Sequence, residues 1–230
     1  MKKHLLSLVL GIKRLRFRDG DPRRQRADAE FSAKRGNVLA KHSYTCQACS
    51  YMSKQSAHLD VHHVDDNHHN NEDANLAPAC HTCHPYQHVG ELVRRTDIGG
   101  EGLGKSTLIA CIPEVSALNL NLLQRVLGVA LLDEKEAPIA RQIIEHLAER
   151  AGWVKAEFGT FKPADFAGAF AALSDEQYIG RTEVIDDLRL LFNEDTLMKL
   201  GREMALDCPA MPVAAWEDVV VGIQQQSVTA

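Results

Sequence analysis

Cys46-Gln-Ala-Cys49, then Leu59-Asp-Val-His-His-Val64, then Asn75-Leu76 and Cys80-His-Thr-Cys83-His84 form the stretch that decides how this chain folds. Two Cys-x-x-Cys pairs stand thirty residues apart, with a His-His pair between them and a histidine directly after the last cysteine. Each cysteine pair supplies two sulfurs from one tight turn, and the intervening chain brings the two turns together, which meets the tetrahedral demand of zinc. Cys46, Cys49, Cys80 and Cys83 are therefore expected to hold a structural zinc ion, closed to solvent and not catalytic. Four thiols buried for packing alone would leave the paired spacing unexplained.

Working outward, the 230 residues suffice for one large domain or two small ones with a real hydrophobic core. With 45% apolar and 25% charged residues the chain reads as globular and water-soluble. Of six cysteines, four fall in the metal-type pairs, while Cys111 and Cys208 stand alone. That usage argues against a secreted disulfide framework and for a reducing cytosol. Met1-Lys-Lys followed by Leu5 to Leu10 has the outline of an export signal, but it runs into Lys13-Arg-Leu-Arg-Phe-Arg18 with no small-residue cleavage site. The expected location is the cytoplasm, in solution or peripheral to an inner-membrane assembly, with no transmembrane segment. Net charge is -5, yet residues 1–45 hold twelve Lys/Arg against four Asp/Glu. Such a basic lead-in can meet DNA phosphates, or it can pair with acidic groups of the protein itself or of a partner.

Along the chain, Leu5 to Leu10 and Ile12 to Phe17 read as two short strands. Asp21-Pro22 reads as the start of a helix with Phe31, Val38 and Leu39 on its apolar stripe. His58 to Val64 reads as a strand, Asp65 to Asn71 as a loop of turn formers, and Asn75-Leu76 as the lead into a closing helix with Pro78 near its start and Pro85 at its end. Gly99-Gly-Glu-Gly-Leu-Gly-Lys105-Ser106 formally fits a phosphate loop, but no apolar strand precedes it, and a flexible connector explains it better. Thr107 to Ile112 reads as a strand stopped at Pro113. From Ser116 the pattern turns helical, with Leu118, Leu122, Leu123, Val126, Leu127, Ala130 and Leu131 as one apolar face. Further helices are expected over 137–154, 163–173, 181–192 and 195–206. Trp153 and Trp216 read as core or interface anchors.

The order of cysteines, His62-His63, Asn75 and His84 closely resembles the HNH (ββα-metal) motif over residues 46–84. The resemblance implies that His63 is the general base that activates water for attack on phosphorus. It also implies that His62 and His84 hold a catalytic Mg2+ or Mn2+, and that Asn75 ties the hairpin together. Eight of the eleven histidines fall between residues 58 and 88, a density unusual for an inert surface loop.

A wider resemblance covers most of the chain and thins after residue 135. Tyr44-Thr-Cys-Gln-Ala-Cys49, Asn70-Asn71 ahead of Asn75-Leu76, the glycine-rich stretch, Lys105-Ser-Thr-Leu-Ile109, Pro113-Glu114 and the leucine-rich helix are similar to the IcmJ (DotN) family. That family comprises HNH-like zinc proteins of type IVB secretion systems, associated with the coupling complex, with relatives in conjugation systems. Family members can lose the catalytic residues and serve as scaffolds, whereas this chain has His62, His63 and His84.

The expectation is thus an α+β protein with two parts. Residues 1–112 form an HNH-like zinc-binding domain with a basic lead-in, and residues 113–230 form a helical partner-binding region. The first functional reading is an accessory component of a type IVB secretion or conjugative coupling complex that binds the coupling ATPase or its adaptors. The alternative is a metal-dependent HNH DNA endonuclease.

Overall fold

A computed structural model describes residues 6–12, 22–89 and 107–208. The expected Ile12 to Phe17 strand beyond Ile12, the glycine-rich loop through Ser106, the residues after Cys208 and Trp216 with them lie outside the described residues. The architecture is α+β, with two small antiparallel sheets among helices.

Leu6 to Ile12 does not join a sheet. Gly11 instead exchanges two backbone bonds with the stapled unit, its N–H donating to Tyr86 O and its carbonyl accepting from Val89 N, both at 2.8 Å. Arg181 Nε donates to Leu10 O at 2.9 Å, and the Tyr178 hydroxyl meets both backbone groups of Ile12. With its N–H and C=O groups satisfied this way, the segment needs no strand partner.

Helix α1, Arg24–Lys41, buries Ala27, Val38 and Leu39 and lays Phe31 against the same cluster. Strand β1, Leu59–His63, pairs antiparallel with β2, Leu76–Cys80, with Val61 opposite Pro78. The sequence read Asn75-Leu76 as leading into the closing helix with Pro78 near its start; the structure corrects this to a strand over Leu76–Cys80. Pro78 is tolerated because its carbonyl faces away from β1, where it accepts from Gln47 N at 2.8 Å, so the missing N–H falls on the free side of the ladder. The closing helix is the single turn α2, His84–Gln87, and Pro85 starts it rather than ending it.

Strand β3, Thr107–Cys111, pairs antiparallel with β4, Leu188–Phe192, so residues on either side of position 112 share one sheet. Between them run α3 (Ala117–Ala130), α4 (Ala137–Glu149), α5 (Ala151–Phe158), α6 (Pro163–Ala172), α7 (Asp175–Gly180) and α8 (Thr182–Ile185). Helix α9 (Glu194–Asp207) follows β4. Ser116, Ser174 and Asn193 cap α3, α7 and α9 through their side chains. The helix expected over 181–192 is short and gives way to β4, because Leu188-Arg-Leu-Leu-Phe192 is buried at every position and suits a strand covered on both faces.

The buried face of α3 also differs from the expected stripe. Leu122 and Val126 are exposed, while Asn121, Gln124 and Arg125 are buried. Polar side chains win those places because each has a task. Gln124 donates to Leu190 O at 3.1 Å and accepts from Phe192 N at 2.8 Å, closing the edge of β4. α3 and α9 cross with their backbones in contact at Gly128 and Gly201, where a Cβ on either glycine would run into the other helix. Tyr86 and Val89 of the stapled unit sit in the core of the helical part beside Leu127, Leu190 and Leu197.

Candidate metal centres

The first knuckle follows α1 through a turn with Ser43, Tyr44 and Ser50 at φ 51°, 51° and 62°. Such left-handed positions let the chain reverse tightly around Cys46. Within the turn, Ser50 N donates to Cys46 O at 3.0 Å and Ala48 N points at Cys46 Sγ at 3.4 Å. The second knuckle links the end of β2 to α2, with Cys83 N donating to Cys80 O at 2.9 Å. The strand β2 therefore carries Cys80 against the first turn.

The four sulfurs all lie within 4.8 Å of one another, and Cys46, Cys80 and Cys83 are buried. Cys49 Sγ and Cys80 Sγ are 3.6 Å apart. A disulfide would need roughly 2.05 Å. Tetrahedral zinc with bonds of about 2.3 Å sets its sulfurs about 3.8 Å apart. The cluster could hold a metal ion, and its spacing is compatible with zinc. Burial pushes the Cys80 thiol up, but hydrogen bonds from Cys46, Cys49 and Cys83 and the charge of Arg125 outweigh it, holding Cys80 well below the usual thiol range. A thiolate is the form that ligates.

On β1, neighbouring side chains point to opposite faces, and the His-His pair obeys this. His62 turns toward α2, where His62 Nδ1 lies 3.1 Å from His88 Nε2. Its ring centroid is 5.6 Å from that of His84 and 4.8 Å from that of His88. One ring nitrogen from each of His62, His84 and His88 falls within a 4.8 Å span, a second group that could hold a metal ion. Two imidazole ligands on tetrahedral zinc are about 3.3 Å apart, close to the observed His62–His88 separation. Asp60 accepts from His84 Nδ1 at 3.0 Å, which leaves His84 Nε2 as the ligating nitrogen. Sequence reasoning named His62 and His84 but not His88. The signal was its position four residues after His84, one helical turn onward.

His63 turns the other way and is packed between Phe31 and His68, with ring centroids 5.1 and 4.5 Å distant. Asn71 Nδ2 donates to Ala27 O at 3.0 Å, which fixes the amide so that Asn71 Oδ1 faces His63 Nε2 at 2.9 Å. A carbonyl oxygen only accepts, so the His63 proton facing Asn71 resides on Nε2. Asn75 pins the loop after β1: its Oδ1 accepts from Asp65 N at 3.0 Å, and its Nδ2 donates to Asp65 Oδ1 at 2.7 Å and to Asn70 O at 2.8 Å.

The basic residues of α1 are largely engaged within the protein. Arg26 pairs with Glu30 at 2.9 Å, Lys34 donates to Asn71 O at 2.6 Å and Arg35 donates to Leu59 O at 2.6 Å. Cys111 is half-buried in β3, Cys208 is exposed, and Trp153 is exposed against Phe158. Among the described residues, no helix is long and apolar enough to cross a membrane. No protein-family model and no curated protein matches this chain.

Proposed function

We propose that the chain is a zinc-stapled, HNH-like accessory component of a type IVB secretion or conjugative coupling complex, binding the coupling ATPase or its adaptors through its helical part. The observation that carries this reading is the apolar surface left on that part. Leu122, Val126, Ile139, Ile143 and Trp153 are exposed on α3, α4 and α5. Nearby, an apolar cleft of about 380 Å³ is lined by Leu108, Leu127, Ile144, Leu147, Phe161 and Leu197. Surfaces of this kind mark protein contacts. The resemblance to the IcmJ (DotN) family supplies the class of partner. Co-purification of the full chain with a coupling ATPase encoded beside it tests the reading. Loss of capture in Ile143→Asp and Val126→Asp, with folding intact, is expected; unchanged capture overturns this surface.

A second reading, a metal-dependent DNA endonuclease, is favoured by one observation: His62, His84 and His88 could hold an ion, and His63 is the next residue on the same strand, with its Nε2 facing Asn71 Oδ1. Mn2+ suits an all-imidazole group better than Mg2+, and either ion, if bound, would stabilise negative charge on a phosphate and its leaving oxygen. The residues of the chain do the rest. His62, His84 and His88 would hold the ion, Asn71 orients His63, and His63 would take a proton from water. Nicking of supercoiled plasmid with either ion, lost in His63→Ala, is the expected result for an enzyme. No cleavage together with capture of the ATPase sustains the first reading alone.

A further inference from the structure

Arg125 is the largest fully buried side chain among the described residues, at 2% exposure, and its Nε, Nη1 and Nη2 are buried without an oxygen or nitrogen partner, with the Cys80 sulfur beside them. No carboxylate meets it among the described salt bridges, which is unusual, since a buried charge is ordinarily paired. Its guanidinium instead lies 3.9 Å above the Tyr51 ring, beside the cysteine cluster. One turn earlier on the same face of α3, Asn121 Nδ2 points at Cys83 Sγ at 3.5 Å and at Thr82 O at 3.3 Å. The helix thus aims a cation and a neutral donor at the knuckles.

Four thiolates around a divalent ion carry a net charge of minus two. A buried arginine without an oxygen partner is matched by such a centre, and beside four neutral thiols it would have no counter-charge.

We propose that Arg125 is the counter-cation of a dianionic metal–tetrathiolate centre, and that the metal thereby latches the helical part onto the knuckles. The latch has a second leg. The Tyr51 hydroxyl donates to Asp207 Oδ2 at the end of α9, so the ring under Arg125 is held from that helix as well. With the ion present, α3 and α9 close over the knuckles. Without it, Arg125 faces no sufficient anion and draws water into the contact, so α3 loosens.

The test uses the full chain loaded with zinc, with cobalt(II) substituted to read the ligand set. Arg125→Met keeps the bulk and removes the charge; Arg125→Lys keeps the charge. The expected result is an unchanged four-sulfur cobalt spectrum in all three proteins, with zinc lost to a chelator about tenfold faster or more from Arg125→Met and near the parent rate from Arg125→Lys. Hydrogen exchange supplies a readout on the parent protein, independent of whether Arg125→Met folds. Chelation is expected to raise exchange over 117–130 while 151–158 stays protected. Parent-like zinc release from Arg125→Met, or α3 amides that stay protected in the metal-stripped parent protein, would overturn the proposal.

Discussion

Asp60 Oδ2 and His84 Nδ1 are joined by a 3.0 Å hydrogen bond, and Asp60 Oδ2 also lies 4.0 Å from His81 Nε2. His81 in turn reaches Glu203 on α9 at 2.8 Å. One carboxylate on the β1 hairpin therefore sets the tautomer of a metal-ligand candidate and stands beside a contact to α9. Carboxylates placed behind ligating histidines raise metal affinity by about 10- to 100-fold. Asp60→Ala is expected to weaken divalent metal binding at His62, His84 and His88 by about that factor, with one zinc still retained per chain at the cysteines. Calorimetric titration of the zinc-loaded protein with nickel checks this, and equal affinity in both proteins would refute the role.

Replacing a cysteine acts on folding. A structural zinc of this type contributes on the order of 10 kcal/mol of apparent binding energy. Cys80→Ser should purify without stoichiometric metal and lose protection over β1 and β2, which hydrogen exchange and elemental analysis would reveal together.

Two glycine substitutions should have opposite signs. Gly201→Ala drives a methyl group into the backbone of α3 at Gly128 and should cost about 3 kcal/mol or more. Gly152→Ala, in α5, meets nothing within 4 Å and should stabilise by up to about 1 kcal/mol. Thermal unfolding of both variants beside the parent protein decides the matter.

Acid sensitivity should trace to Asp207. Burial pushes its pKa up, but hydrogen bonds from Ser53, Tyr51, His58 and Lys54 N outweigh this and hold it below the ordinary carboxylate value. A depressed folded-state pKa contributes stability that is full above the unfolded value near 4 and is lost as pH falls through the folded one. Asp207→Asn should therefore be less stable than the parent at pH 7, with the gap closing below about pH 4. A gap that persists unchanged to pH 3 would show that the contact works through shape alone.

The sequence made the cysteine cluster, the β1 strand and the start of α3 legible, because ligand spacing, β-branched alternation and a Ser116 start are local signals. It misassigned β2 and β4 because their partners lie elsewhere in the chain. Pro78 looks helix-initiating until Gln47 claims its carbonyl, and Leu188 to Phe192 looks helical until β3 lies beside it. The polar face of α3 was hidden for the same reason: Asn121 and Arg125 are buried by what they meet, not by their own hydropathy. His88 was visible only as one histidine among eight until α2 set it beside His62 and His84.

The glycine crossing of α3 and α9 leaves no layer of side chains to absorb a shift between those helices, so they move as one plate. Asn121 and Arg125 project from one member of the plate, and Glu203 and Asp207 from the other, all toward the knuckles and the hairpin. A displacement of the helices would consequently be delivered to the knuckles with little slack, as a lever delivers force to its short arm.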